Sequence, residues 1–102
     1  MEIVVKFLRK STIWVRAYVY DADGALVDPT SIKLTLVDSG ETKKVDSLAM
    51  DKAETGIYDY YYNLASDAAE GWWNGEVWVT DGTGDTAKSS FGEFSVEVKK
   101  GL

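Results

Sequence analysis

The sequence predicts an all-β protein, a single antiparallel β-sandwich of seven strands over residues 1–102. Three observations predict it. Side chains alternate with a period of two, most clearly over Thr12–Tyr20. There Ile13, Val15, Ala17 and Val19 point one way, and Trp14, Arg16, Tyr18 and Tyr20 the other. Turn signals rich in Asp and Gly recur at intervals of roughly 10–15 residues, the spacing of an antiparallel sandwich. No segment carries a sustained apolar period of about 3.6 residues, which argues against a helical core.

The elements follow in order. The first strand is Glu2–Leu8. The second, Thr12–Tyr20, ends at the turn Asp21-Ala22-Asp23-Gly24, where glycine admits positive φ at little cost. A connection through the only proline, Pro29, leads to the third strand, Ser31–Val37. It turns Ile32, Leu34 and Leu36 inward and Lys33 and Thr35 outward. Asp38-Ser39-Gly40-Glu41 is the next turn. The fourth strand, Thr42–Ala49, is polar and suits a sheet edge, where Lys43, Lys44 and Asp46 discourage pairing with another chain.

The fifth strand, Gly56–Leu64, sets Tyr58, Tyr60, Tyr62 and Leu64 on one face and Ile57, Asp59, Tyr61 and Asn63 on the other. Ser66–Glu70 reads as one helical turn, too short for a helix. The sixth strand, Trp72–Thr80, places Trp73, Gly75, Val77 and Val79 on one face and Trp72, Asn74, Glu76 and Trp78 on the other. Asp81-Gly82-Thr83-Gly84-Asp85 is a hairpin turn. The seventh strand, Thr86–Lys99, ends with Phe94, Val96 and Val98 inward, and Gly92 in its middle predicts a bulge.

Composition narrows the chemistry. A chain of 102 residues makes one domain and buries about two-thirds of its unfolded surface, enough for a core without staples. The absence of Cys excludes a disulfide, a thiol nucleophile and a thiolate metal site. The absence of His removes the commonest general base and the commonest transition-metal ligand. Seventeen Asp and Glu against 11 Lys and Arg give a net charge of −6, which opposes binding to a nucleic-acid backbone. No apolar run approaches the ~20 residues of a membrane span. The opening MEIVVKFLRK lacks the pattern of a secretory signal and reads as a strand. No location is assigned: the expectation is a chain made in the cytoplasm that stays where it is made, unless it is incorporated into a virion or is an excised piece of a larger secreted protein.

Catalysis is not expected, and no cofactor or metal is assigned. Lys88-Ser89-Ser90 puts an amine beside a hydroxyl in sequence, but successive strand residues face opposite ways. Paired carboxylates alone define no cleft in a sandwich this small. Asp21 and Asp23 have a calcium-loop spacing, yet Leu26 stands where that loop needs glycine. Asp81 and Asp85 flank Gly-Thr-Gly out of register, so turn chemistry is the favoured reading of both clusters. Gly82-Thr83-Gly84-Asp85-Thr86-Ala87 has the letters of a dinucleotide-binding loop without the helix such a loop must open.

With the strands placed, the chain resembles the immunoglobulin-like sandwich modules of bacteria, archaea and their tailed viruses, macroglobulin-type domains included. The likeness rests on Val15-Arg16-Ala17-Tyr18-Val19-Tyr20-Asp21-Ala22-Asp23-Gly24 followed by Val27-Asp28-Pro29, on Gly56-Ile57-Tyr58-Asp59-Tyr60, and on Glu70-Gly71-Trp72-Trp73 followed by a strand and Asp81-Gly82. It implies a seven-stranded immunoglobulin-like Greek key of the disulfide-free branch. Gly75 stands where the second disulfide cysteine of antibody-type domains would fall, two residues after Trp73. The resemblance further implies a non-catalytic spacer, adhesion module or surface decoration, and the form of the chain looks like the small separately encoded virion version.

The aromatics are the remaining signal. Outward positions hold Trp14, Tyr18, Tyr20 and Tyr61 on one sheet and Trp72 and Trp78 on the other. Outward aromatics either stabilise a sheet through cross-strand pairs or form an interaction surface. The leading expectation is a structural or protein-interaction module of a virion or cell-surface assembly, binding a protein partner or a second copy of itself. The alternative is a carbohydrate-binding module that stacks Trp or Tyr on sugar rings.

Overall fold

Period-two patterning becomes two antiparallel sheets packed face to face. The computed structural model describes residues 1–8, 11–82 and 88–99. The described residues form eight strands and no helix: β1 (Glu2–Leu8), β2 (Thr12–Tyr18), β3 (Ser31–Val37), β4 (Lys43–Ala49), β5 (Asp51–Glu54), β6 (Ile57–Asn63), β7 (Gly71–Asp81) and β8 (Lys88–Val98). One four-stranded sheet has the order β1-β2-β6-β5 and the other β4-β3-β7-β8. No helix among them is long and apolar enough to cross a membrane.

The alternation decides what lies between the sheets. β2 sends Ile13, Val15 and Ala17 inward, β3 sends Ile32, Leu34 and Leu36, and β7 sends Trp73, Val77 and Val79. Trp73 is completely buried. Its one polar atom is satisfied, because Nε1–H donates to the Ala69 carbonyl at 2.9 Å. Without that acceptor, burial of the indole N–H would carry a desolvation cost. Tyr62 tilts against the Trp73 ring at 6.0 Å. Two residues on, Gly75 faces the same interior opposite Phe94 of β8. A Cβ on Gly75 would lie 2.0 Å from Phe94 Cζ, so the Phe94 ring occupies the space a side chain there would need.

Three expectations are corrected. First, the strands number eight, because Asp51–Glu54 forms β5 beside β6 while Lys43–Ala49 pairs with β3. Met50 carries the chain between the sheets, buried, with its N–H donating to the Ile32 carbonyl at 3.1 Å. Second, β2 stops at Tyr18. Val19 N–H donates to the Gly56 carbonyl at 2.8 Å, and Tyr20 forms only an isolated bridge to Leu26.

Third, Gly92 is not a bulge, since the β7–β8 ladder runs without a shift from Gly71↔Val98 to Asp81↔Lys88. Gly92 instead admits Ile3 of β1, whose Cδ1 would be 2.8 Å from a Cβ there. The bulge is in β4. Leu34 pairs Leu48 and Leu36 pairs Val45, which leaves Asp46 and Ser47 opposite Thr35. Ser47 has φ +51°, and its N–H donates to Thr35 Oγ1 at 3.1 Å. The expected turn residues Thr83, Gly84 and Asp85, and the strand start at Thr86, lie outside the described residues, as does most of the glycine loop weighed as a nucleotide motif.

Ser66–Glu70 makes a tight turn, with Ala68 N–H donating to the Ala65 carbonyl. Asp28 anchors the long connection before β3. It accepts from Lys52 Nζ at 2.6 Å, Gly56 N–H at 2.8 Å and Tyr58 Oη at 3.1 Å.

Gly75→Ala is expected to destabilise the fold by about 1–3 kcal/mol, the usual cost of overpacking a core. Urea denaturation measures it. Adding Phe94→Leu to Gly75→Ala is expected to restore part of the loss, because the clash is with that ring; a strictly additive double variant would contradict the packing described.

Candidate interaction faces

Each sheet has one face turned to solvent, and the aromatics fall on both. On the β1-β2-β6-β5 sheet the ladder aligns Lys6, Trp14 and Tyr61 in one row and Arg16 with Asp59 in the next. The Trp14 and Tyr61 rings stack at 6.5 Å with planes 20° apart. Arg16 Nε donates to Asp59 Oδ1 at 2.7 Å and Nη2 to Oδ2 at 2.8 Å, a bidentate pair. Trp14 Nε1–H donates to the same Oδ1 at 3.0 Å. The Arg16 guanidinium lies 5.0 Å from the Trp14 ring centroid and Lys6 Nζ 6.0 Å, both within cation–π range.

This cluster satisfies itself. Asp59 keeps only 6% of its surface exposed although it sits on an outward strand position. Hydrogen bonding from Arg16 holds the Asp59 carboxyl below the ordinary 3.8, against the opposing effect of burial. Asp59 in turn raises Arg16 above its ordinary value. Trp14 and Tyr18 are half-buried and Tyr61 is exposed. Tyr20 is exposed beyond the end of β2, outside the sheet ladder.

The outer face of the β4-β3-β7-β8 sheet is different. Trp78 of β7 and Phe91 of β8 are ladder partners. Their rings stack at 4.5 Å with planes 22° apart. Trp78 keeps 40% of its surface exposed, Phe91 49% and Trp72, further along β7, 59%. Trp78 Nε1–H donates to Glu76 Oε2 at 2.8 Å. Ser95 Oγ donates to Asn74 Oδ1 at 2.9 Å, and Thr80 and Ser89 share a hydroxyl contact at 3.1 Å. A shallow depression of about 360 Å³ lies between β4, β3 and β7, lined by Thr35, Lys43, Ser47, Asn74, Glu76 and Trp78 among others.

The six outward aromatics named from sequence therefore do not form one surface. Trp14, Tyr18 and Tyr61 share one face, Trp72 and Trp78 the opposite one, and Tyr20 belongs to a loop. Phe91 and Asp59 are the site residues that sequence reasoning missed. A hairpin turn over Asp81–Asp85 would set Trp78 opposite Lys88, whereas the observed ladder sets it opposite Phe91. For Asp59 the available signal was its place in the alternation, two positions from Tyr61, facing the side that carries Arg16.

Of the two Asp clusters, Asp21 and Asp23 are described, whereas Asp85 of the second lies outside the described residues. Asp21 Oδ1 accepts the N–H groups of Asp23 and Ala25 at 2.9 and 3.0 Å, a turn held by its own side chain. Among the described residues no group of three or more Asp, Glu, His or Cys could hold a metal ion.

Two outcomes follow. Asp59 binds its proton less readily when folded than when unfolded. The stability it contributes is whole above the ordinary value of 3.8 and is lost as pH falls through the depressed folded value. Asp59→Asn is therefore expected to be less stable than the parent at neutral pH and to show a shallower fall of melting temperature between about pH 5 and 2; parallel acid limbs would contradict the pairing. For Trp78 and Phe91, a double-mutant cycle to Ala is expected to return a coupling of about 0.5–1 kcal/mol from ring stacking, read by chemical denaturation.

In comparisons with known proteins, no family model, no curated protein and no solved structure matches this chain.

Proposed function

We propose that the protein is a non-catalytic immunoglobulin-like interaction module of a virion or cell-surface assembly, and that it docks a protein partner through the outer face of the β4-β3-β7-β8 sheet. The observation that carries this reading is the contrast between the two outer faces. On one, Trp14 has Arg16 and Lys6 against its ring and its N–H tied to the buried Asp59 carboxylate, which leaves Tyr61 as the exposed ring. The other presents Trp72, Trp78 and Phe91 to solvent within a polar frame of Asn, Ser, Thr and Glu. Exposed aromatics inside a polar rim are the usual composition of a protein-docking patch.

Strand order supports the immunoglobulin-like part. Lettered in sequence as A, B, C, C′, D, E, F and G, the strands give A-B-E-D in one sheet and C′-C-F-G in the other, the arrangement of that fold with one added strand. Trp73 supports it too. It sits at the start of the F-equivalent strand and bonds back to Ala69, as the corner tyrosine of such domains bonds back to upstream backbone. The virion or cell-surface setting comes from the sequence resemblance.

Sugar binding is the weaker reading. Rings 4.5 Å apart with planes 22° apart stand face to face, so Trp78 and Phe91 cover one face of each other and do not lie side by side as a flat platform.

A displayed random-peptide library selected on the immobilised protein is expected to yield clones that lose binding to Trp78→Ala and Phe91→Ala and keep it with Tyr61→Ala, on the opposite face. Binding on a glycan array that disappears in Trp72→Ala or Trp78→Ala, with no peptide selected, would replace this reading with the carbohydrate one. A stable oligomer in size-exclusion chromatography, dispersed by Trp78→Ala, would make the occupant a second copy.

A further inference from the structure

The chemistry of the partner can be read from what the two outer faces share and where they differ. On the β1-β2-β6-β5 face a tryptophan stacks on a neighbouring ring, donates its indole N–H to a carboxylate, and that carboxylate pairs with Arg16, whose guanidinium also lies over the tryptophan. On the β4-β3-β7-β8 face Trp78 stacks on Phe91 and donates its indole N–H to Glu76. The ring pair and the carboxylate recur, and among the described residues no cation completes them. Lys33, the outward cation opposite Trp78 on β3, makes no ion pair with Glu76.

A second carboxylate makes this imbalance larger. Glu93 of β8 is the direct ladder partner of Glu76. Like charges directly opposite on neighbouring strands are destabilising. Among the described residues neither has a cationic partner, and Glu93 has no hydrogen bond. Between them lies a shallow depression of about 210 Å³ whose wall includes Asn74 and Ser95. The Asn74 amide oxygen and the two carboxylates are acceptors. A second copy of the chain would bring the same carboxylates and a net charge of −6 to the contact, so charge opposes self-docking here.

We propose that this face docks a basic, Arg- or Lys-bearing segment of a protein partner, with one cationic side chain held between Glu76 and Glu93 and packed against the Trp78–Phe91 pair. Arginine fits best, because its planar guanidinium can fork onto a carboxylate and stack on a ring at once, as Arg16 does within the chain. The inference rests on the docking reading above and adds the charge of the occupant.

The test uses three synthetic peptides of one Gly/Ser/Val scaffold carrying Arg, Gln or Glu at the same positions, titrated into the ¹⁵N-labelled protein. The readout is the indole N–H signals of the four tryptophans. The Arg peptide is expected to shift Trp78 and leave buried Trp73 and Arg-covered Trp14 in place. It should weaken with added salt and bind about tenfold or more tightly than the Gln peptide. Glu76→Gln with Glu93→Gln is expected to remove about that factor, with an unmoved Trp73 signal confirming the fold.

Equal binding of Arg and Gln peptides at Trp78, or full Arg-peptide affinity in the double Gln variant, overturns the basic-partner inference and leaves the docking reading standing. Equal shifts at Trp14 and Trp78 overturn it as unspecific charge attraction. If no peptide moves Trp72 or Trp78, both this inference and the docking reading fail.

Discussion

Burial of Trp73 governs much of what this molecule presents to its surroundings. The indole is the largest side chain wholly enclosed between the sheets, and its N–H is fixed to the Ala69 carbonyl. With that residue inward, a period of two leaves no choice for its strand: Trp72, Asn74, Glu76 and Trp78 must face water. β7 is central in its sheet and pairs with β8 along its whole length and with β3 from Asn74 to Thr80. Its sidedness is therefore imposed on both neighbours. The exposed Trp72, the Trp78–Phe91 pair and the facing carboxylates are the other side of a decision made in the core.

The two solvent faces show what such a decision can cost and how it is met. On the first, an outward Trp and an outward Asp are drawn together by Arg16, so that a charged group with almost no exposed surface is fully bonded. Polar groups buried with all their partners rigidify a surface and leave little for another molecule to gain. On the second, exposed rings are kept beside like charges that have no cationic partner among the described residues. A chain selected for stability alone would exchange one glutamate of that pair for a lysine.

Much of this could be read from the residues themselves. β1 and β3 have the boundaries the alternation predicts, and the inward set of β2, β3 and β7 is the one expected. The polar fourth strand lies at an edge, as its charges suggested. β5 was not legible, because Asp51, Lys52, Ala53 and Glu54 are all exposed, so no apolar alternation marks them. They become a strand only because β6 offers an open edge. The bulge at Ser47 was hidden as well, since it depends on a left-handed residue held by Thr35 across the ladder, and glycine was the more obvious candidate. Outward positions were assigned correctly strand by strand for Trp14, Tyr61, Trp72 and Trp78. Which of them would be covered depended on cross-strand register, which no single strand encodes.

The crossing at Met50 has a mechanical side. β4 and β5 are edge strands of different sheets, joined through one buried residue, so the chain itself spans that side of the sandwich. On the opposite side β1 and β8 are the facing edges, and Ile3 sits in the notch left by Gly92. The β2–β3 and β6–β7 connections also cross between the layers, so the β1–β8 margin is the one that no crossing of the chain ties, and side-chain packing of Ile3 against Gly92 closes it.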